Sequence, residues 1–87
     1  MAGRPLRRLR EALNNIGAEI EHERLVRGYS TCSLHWLVNE RGRLEEACRQ
    51  LMELADGGSP DALKHHAECS DHYVAIDEIV RARLSQQ

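Results

Sequence analysis

The sequence has no phenylalanine, one tryptophan and two tyrosines, so aromatic residues make up only 3% of the chain. Sandwiches and barrels of β-strands draw on aromatic and β-branched residues for their cores, so this shortage argues against both. The apolar residues that are present are mainly Leu, Ile, Val and Ala, a composition typical of helical bundles. We therefore expect an all-α fold.

Long apolar runs are also missing. No stretch approaches the roughly 18 apolar residues that span a bilayer, and the first residues lack the apolar segment of a signal peptide. The three cysteines are odd in number and widely spaced, which is a poor framework for disulfides. We expect a cytoplasmic protein with reduced thiols and no membrane contact.

Breaking and capping residues divide the 87-residue chain into three predicted helices within a single domain, residues 1–87. They cover about 5–27, 32–56 and 60–84, after a basic, disordered arm at residues 1–4. Gly28 is expected to end the first helix, Ser30 or Thr31 to cap the second, and Ser59 to cap a third helix that begins at Pro60. The architecture is then either a closed three-helix bundle or an antiparallel helical hairpin with the third helix docked or exchanged with a partner.

Apolar residues in the first two predicted helices recur three and four positions apart. The second helix has one apolar face, which is interrupted at Arg41. We expect the other two helices to cover this face, which consists of Leu34, Leu37, Leu44, Cys48, Leu51 and Ala55. The first helix keeps strict coiled-coil spacing over two heptads: Leu6, Leu9, Leu13, Ile16 and Ile20. Such a slim bundle leaves apolar surface uncovered, and the chain is only just longer than the roughly 70–80 residues below which a core seldom supplies more than about 3–5 kcal/mol, so we expect a homodimer.

Apolar side chains outside these lines are candidates for binding a partner protein. Trp36, Val38 and Met52 lie off the apolar face of the second helix, and Tyr29 lies in the turn before it. Trp36 either packs beneath the Tyr29 turn or anchors a partner, since tryptophan is enriched among binding hot spots. We predict that these four residues form a partner-binding surface.

A cluster of histidine and cysteine residues suggests a second kind of site. His65, Cys69 and His72 are spaced i, i+4 and i+7 on one helix face, and an antiparallel second helix brings Cys48 to the level of Cys69. These four could ligate zinc, although the spacing matches no usual zinc module. Alternatively, the cysteines are small core residues and the histidines are a solvated polar face.

We predict no catalytic residues and therefore a non-enzymatic protein. Cys32 and His35 are the one pair that suggests a Cys–His nucleophile, near the start of the second helix. No acid that would orient the histidine can be assigned, and a thin bundle offers little room for a substrate pocket.

Four arginines and no acidic residue occupy residues 1–10, giving a local charge of +4 against −6 for the remainder. Arg4, Arg7, Arg8 and Arg10 could bind nucleic-acid phosphates. The run Ala2–Pro5 resembles the Arg-Gly-Arg-Pro core of an AT-hook without its first arginine, and with Gly28–Ser30 it resembles small terminase subunits of phages. These likenesses cover a handful of residues, and we assign the chain to neither family.

The leading hypothesis is a small protein–protein interaction module of the adaptor, chaperone or inhibitor type, acting through an apolar helix face. The alternative is a nucleic-acid-binding accessory or regulatory protein that uses the basic arm. A third hypothesis is a metal-stabilised helical bundle.

Overall fold

A computed structural model describes the backbone of residues 3–86 and the side chains of residues 16–86. It contains three helices, α1 (Gly3–Tyr29), α2 (Leu34–Asp56) and α3 (Pro60–Ser85), and no strand occurs in the described backbone. The all-α prediction with three long helices is confirmed. Across the described residues, no helix has both the length and the apolarity needed to cross a membrane.

The first helix is longer at both ends than predicted. It begins at Gly3, two residues before Pro5, while residues 1 and 2 of the predicted arm lie outside the described part. It also continues through Gly28 to Tyr29, so the expectation that Gly28 ends it is wrong. The terminal carbonyls accept from backbone and side chains: the Ser30 N–H and hydroxyl donate to the Val26 carbonyl at 2.9 and 2.5 Å, and the Thr31 hydroxyl donates to the Gly28 carbonyl at 3.2 Å.

Both later helices begin at serine caps. Ser33, not Ser30 or Thr31, caps α2, because its hydroxyl oxygen accepts the backbone N–H of Trp36 at 3.2 Å. Ser59 caps α3 in the same way and Pro60 takes the first helical position, which confirms that prediction. In the tight turn between them, Gly58 has a φ of +98°, a left-handed conformation that glycine adopts without steric cost.

The core lies between α2 and α3, which pack as an antiparallel hairpin. Leu37 of α2 is completely buried against the α3 residues Ile76, Ile79 and Val80. One turn further along α2, Arg41 donates to the Asp77 carboxylate at 2.9 Å. Further along α2, Cys48 meets Cys69, which is earlier on α3, so the two helices run in opposite directions.

The first helix packs mainly on α3, so it helps to cover the apolar face of α2 only at one edge of the core, less than we expected. Val26 and Tyr29 contact the edge of the core, and His22 pairs with Glu78 of α3. The described molecule is correspondingly slim, with principal extents of 54 × 35 × 18 Å.

Candidate interaction surface

Two opposite faces of α1 have different surroundings. The side chains of His22, Leu25, Val26 and Tyr29 are half-buried on the side that meets α3. Ile16 lies nine residues before Leu25, which is about 180° around the helix at 100° per residue. Ile16 is 52% exposed and Ile20 is 60% exposed, within residues 16–21, all of which are exposed.

These two isoleucines end the heptad series of the first helix, which we call the α1 apolar line: Leu6, Leu9, Leu13, Ile16 and Ile20. The structure describes the side chains of the last two alone, and the described part of the chain leaves both more than half uncovered. The next two positions of the same spacing are Glu23 and Arg27, so the apolar character stops at Ile20. The most regular apolar pattern in the sequence is thus directed away from α3 where the structure describes it.

Tyr29 and Trp36, two of the four predicted partner-binding residues, are brought together. Their rings stack with centroids 6.1 Å apart and an interplanar angle of 28°. The Tyr29 hydroxyl is hydrogen-bonded to Nδ1 of His72 at 2.7 Å, and burial raises the pKa of the Tyr29 phenol. Trp36 therefore packs against Tyr29 at the turn, the first of the two alternatives considered for this residue, and it is still 43% exposed.

Val38 and Met52, the other two, lie elsewhere on α2. Trp36 and Val38 are two residues apart, so they are about 160° apart around the helix. Met52 is fourteen residues from Val38, roughly 21 Å along the axis. They are 40% and 43% exposed, but the four residues do not form the single surface that we predicted.

The four predicted zinc ligands are also divided. Cys48 and Cys69 meet between α2 and α3, where burial, together with the neighbouring Cys69 thiol, raises the pKa of Cys48. His72 is engaged with Tyr29, and His65 is an exposed residue 3.7 Å from the Glu68 carboxylate. Within residues 16–86, no three Cys, His, Asp or Glu side chains form a group that could hold a metal ion. The geometry favours the alternative in which the two cysteines are small packing residues between α2 and α3, where both are half-buried.

The side chains of Cys32 and His35, the candidate nucleophile and base, lie in different surroundings. Cys32 precedes the Ser33 cap and is half-buried against the edge of the core. His35 is exposed and shares a hydrogen bond of 3.2 Å with the side-chain amide of Asn39. The open surface hollow that Cys32 lines together with Tyr29 has a volume of about 280 Å³, just under the roughly 300–1,000 Å³ of typical ligand pockets, and His35 is not among the residues that line it.

Sequence reasoning missed two arginines that tie the helices together. Arg83 of α3 donates to the backbone carbonyls of Cys32 at 2.7 Å and Ser30 at 2.6 Å, which holds the α1–α2 turn against α3. Arg41 pairs with Asp77 across the hairpin. The signal for Arg41 was present, because it stands where the apolar spacing of α2 is interrupted.

The four arginines proposed to bind nucleic acid, Arg4, Arg7, Arg8 and Arg10, lie on α1 where the structure does not describe side chains. Their role stays a prediction. No protein-family model matches the chain, and comparison with curated proteins and with solved structures gives no match.

Proposed function

We propose that the protein is a small, non-enzymatic protein–protein interaction module that binds an apolar helix of another protein molecule along the α1 apolar line. The observation that carries this proposal is the exposure of Ile16 and Ile20, at 52% and 60%, on the side of α1 opposite its contact with α3. Isolated exposed apolar residues are common on protein surfaces. A heptad series that ends in two such residues is typical of a helix–helix contact.

The gain from covering this line is appreciable for a small domain. Complete burial of an isoleucine contributes about 1.5–3 kcal/mol, so covering the exposed half of Ile16 and Ile20 contributes about 1 kcal/mol for each side chain. A partner helix that inserts its own apolar residues between them gains a similar amount. The line is therefore a better candidate for a contact surface than Val38 and Met52, which are far apart on α2.

The Tyr29–Trp36 stack supports the same proposal as a lesser contact area. Trp36 keeps 43% of its surface exposed, although its ring is already fixed against Tyr29 at 6.1 Å. A side chain that is ordered before binding loses less conformational entropy in a complex. We assign it a supporting role because it lies at the α2 end of α1, beyond the last residue of the apolar line.

Site-specific photo-crosslinking in cells tests the proposal. A benzoylphenylalanine placed at Ile20 should yield a covalent adduct of higher mass. The same group placed at Leu63 of α3 is a matched control, because Leu63 and Ile20 are each 60% exposed but Leu63 is not on α1. No adduct from position 20, or equal adducts from both positions, would refute the proposed contact surface.

A further inference from the structure

We propose that Cys48 and Cys69 form an oxidation-dependent staple, a reversible disulfide that joins α2 to α3 when the protein encounters a hydroperoxide. Both residues are free thiols in the structure, and both are half-buried. The staple acts within the α2–α3 hairpin, so it does not depend on what the α1 apolar line binds.

The two cysteines lie on the sides of their helices that form the core. Cys48 follows Leu37 by eleven residues, which is three turns of α2 plus about 20° at 100° per residue. Cys69 precedes Ile76 by seven residues, which is two turns of α3 within about 20°. Leu37 and Ile76 are fully buried in one cluster, so Cys48 and Cys69 face the same interface.

The hairpin also brings the two cysteines to the same level. From the Arg41–Asp77 pair, Cys48 is seven residues onward and Cys69 is eight residues back, about 10.5 and 12 Å along the two helix axes. Consistent with this register, the two thiols are close enough for a side-chain hydrogen bond. Packed helices have axes roughly 8–10 Å apart, so inward-facing Cβ atoms can approach the roughly 3.5–4.5 Å that a disulfide spans.

The third cysteine is too distant to compete. Cys32 precedes α2, and the fourteen residues from Leu34 to Cys48 alone extend about 21 Å. The Cys32 carbonyl accepts a hydrogen bond from Arg83, which is fourteen residues beyond Cys69 and therefore about 21 Å from it along α3. An intramolecular disulfide is therefore specific to Cys48 and Cys69.

The staple would close a part of the hairpin that has little core. Within residues 48–69, all of which the structure describes, Ala62 is the one buried residue. Segments with few buried apolar contacts open more readily than the core does. A disulfide restricts the conformations of the opened chain, so it would hold together the end of the hairpin that packing secures least. The other buried residues lie toward the opposite end: Leu37, Ala75, Ile76, Ile79 and Val80.

Oxidation by hydrogen peroxide proceeds in two balanced steps. One thiolate attacks the peroxide, so an S–O bond forms, the O–O bond breaks, and the departing hydroxide takes up the proton that the thiol released. The second thiol attacks the sulfenic sulfur, so the S–S bond forms, the S–O bond breaks, and water leaves with the second proton. The two thiols lose two electrons and the peroxide becomes two water molecules. Burial raises the pKa of Cys48, which slows attack by this thiol but does not change the product.

Mass spectrometry of the full-length protein after treatment with hydrogen peroxide tests for the staple. The single chain should lose the mass of two hydrogen atoms and yield a peptide that links Cys48 to Cys69, and dithiothreitol should restore the thiols. The Cys32→Ser variant should form the same link, whereas Cys48→Ser should not. An unchanged mass, sulfinic acid at either cysteine without the link, or disulfides between chains alone would overturn the proposal.

Backbone amide hydrogen exchange measures what the staple does. In the oxidised protein, exchange within residues 49–68 should slow by about tenfold or more relative to the reduced protein. Peroxide-treated Cys48→Ser is the matched control and should exchange as it does before treatment. Equal exchange rates in the oxidised and reduced wild-type protein would refute the stabilising role, even if the disulfide forms.

Discussion

Truncation of Leu37 is the sharpest test of where the core lies. Leu37 has no exposed surface and is the one buried residue of α2, packed against Ile76, Ile79 and Val80 of α3. Replacing a buried leucine with alanine costs about 2–5 kcal/mol, part of it from the cavity left behind. For 87 residues, the whole free energy of unfolding is only roughly 4–13 kcal/mol.

Leu37→Ala should therefore lower the free energy of unfolding by about 3 kcal/mol, a large share of the total. At about 4–8 °C per kcal/mol, the melting temperature should fall by roughly 10–25 °C. Urea unfolding followed by circular dichroism measures the change, with protein concentration held constant because self-association adds to apparent stability. The slope of the transition should be unchanged, since the surface exposed on unfolding is nearly the same.

Leu54→Ala is the matched control for this measurement. Leu54 lies on the same helix and is 59% exposed, so the same chemical change should cost less than about 1 kcal/mol. If the two variants lowered the unfolding midpoint equally, Leu37 could not be the centre of the core, and the packing of α2 on α3 described above would be refuted.

Alanine at two glycines should shift stability in opposite directions. Gly58→Ala should lower the free energy of unfolding by about 1 kcal/mol, because a φ of +98° strains any residue that has a side chain. Gly42→Ala should raise it by about 0.5–1 kcal/mol, because Gly42 lies inside α2 with open space at its Cβ position. Urea unfolding that gave both changes the same sign would contradict this. Tyr29→Phe should lower the free energy of unfolding by about 0.5–1.5 kcal/mol, since it removes the 2.7 Å hydrogen bond to His72. Tyr73→Phe should lower it by less, because the Tyr73 hydroxyl has no hydrogen bond among the described residues. Burial raises the pKa of Tyr29 above its ordinary 10.0. The contribution of Tyr29 to stability should therefore be complete below pH 10.0 and decline as the pH rises through the higher folded-state pKa. Tyrosinate absorbance of the Tyr73→Phe variant, measured for the folded protein and in urea, checks the shift in pKa. Excess EDTA should leave the melting temperature unchanged, because residues 16–86 assemble no three-ligand group, and a fall would revive the zinc hypothesis.

Local signals predicted the helices well because capping depends on neighbours in the chain. Ser59 followed by Pro60 is sufficient to start α3, since the serine hydroxyl accepts a nearby N–H and proline needs no helical partner for its missing one. The α1–α2 turn was harder, because Ser30, Thr31 and Ser33 can all act as caps. There the choice depends on tertiary contacts: Tyr29 is held by His72, and Arg83 binds the carbonyls that follow.

The candidate site was only partly accessible to sequence reasoning. The spacing of Ile16 and Ile20 identified an apolar line. We predicted that a slim bundle would leave apolar surface uncovered, and these two residues are part of such a surface. Trp36, Val38 and Met52 were grouped because each lies off the main face of α2, yet two of them are about 160° apart on the helix. A residue that misses one face can lie on either flank, and the one-dimensional pattern does not distinguish the two.

The amino-acid sequence by itself determined that the chain is helical, the regions in which its breaks fall and which residues need cover, because helix periodicity, capping and turn formation are local properties. The tertiary structure decided which helix covers which. It paired α2 with α3 and turned the face of α1 that carries His22, Leu25 and Tyr29 toward α3. That choice depends on the summed packing and hydrogen bonding of residues far apart in the chain, and it left Ile16 and Ile20 exposed.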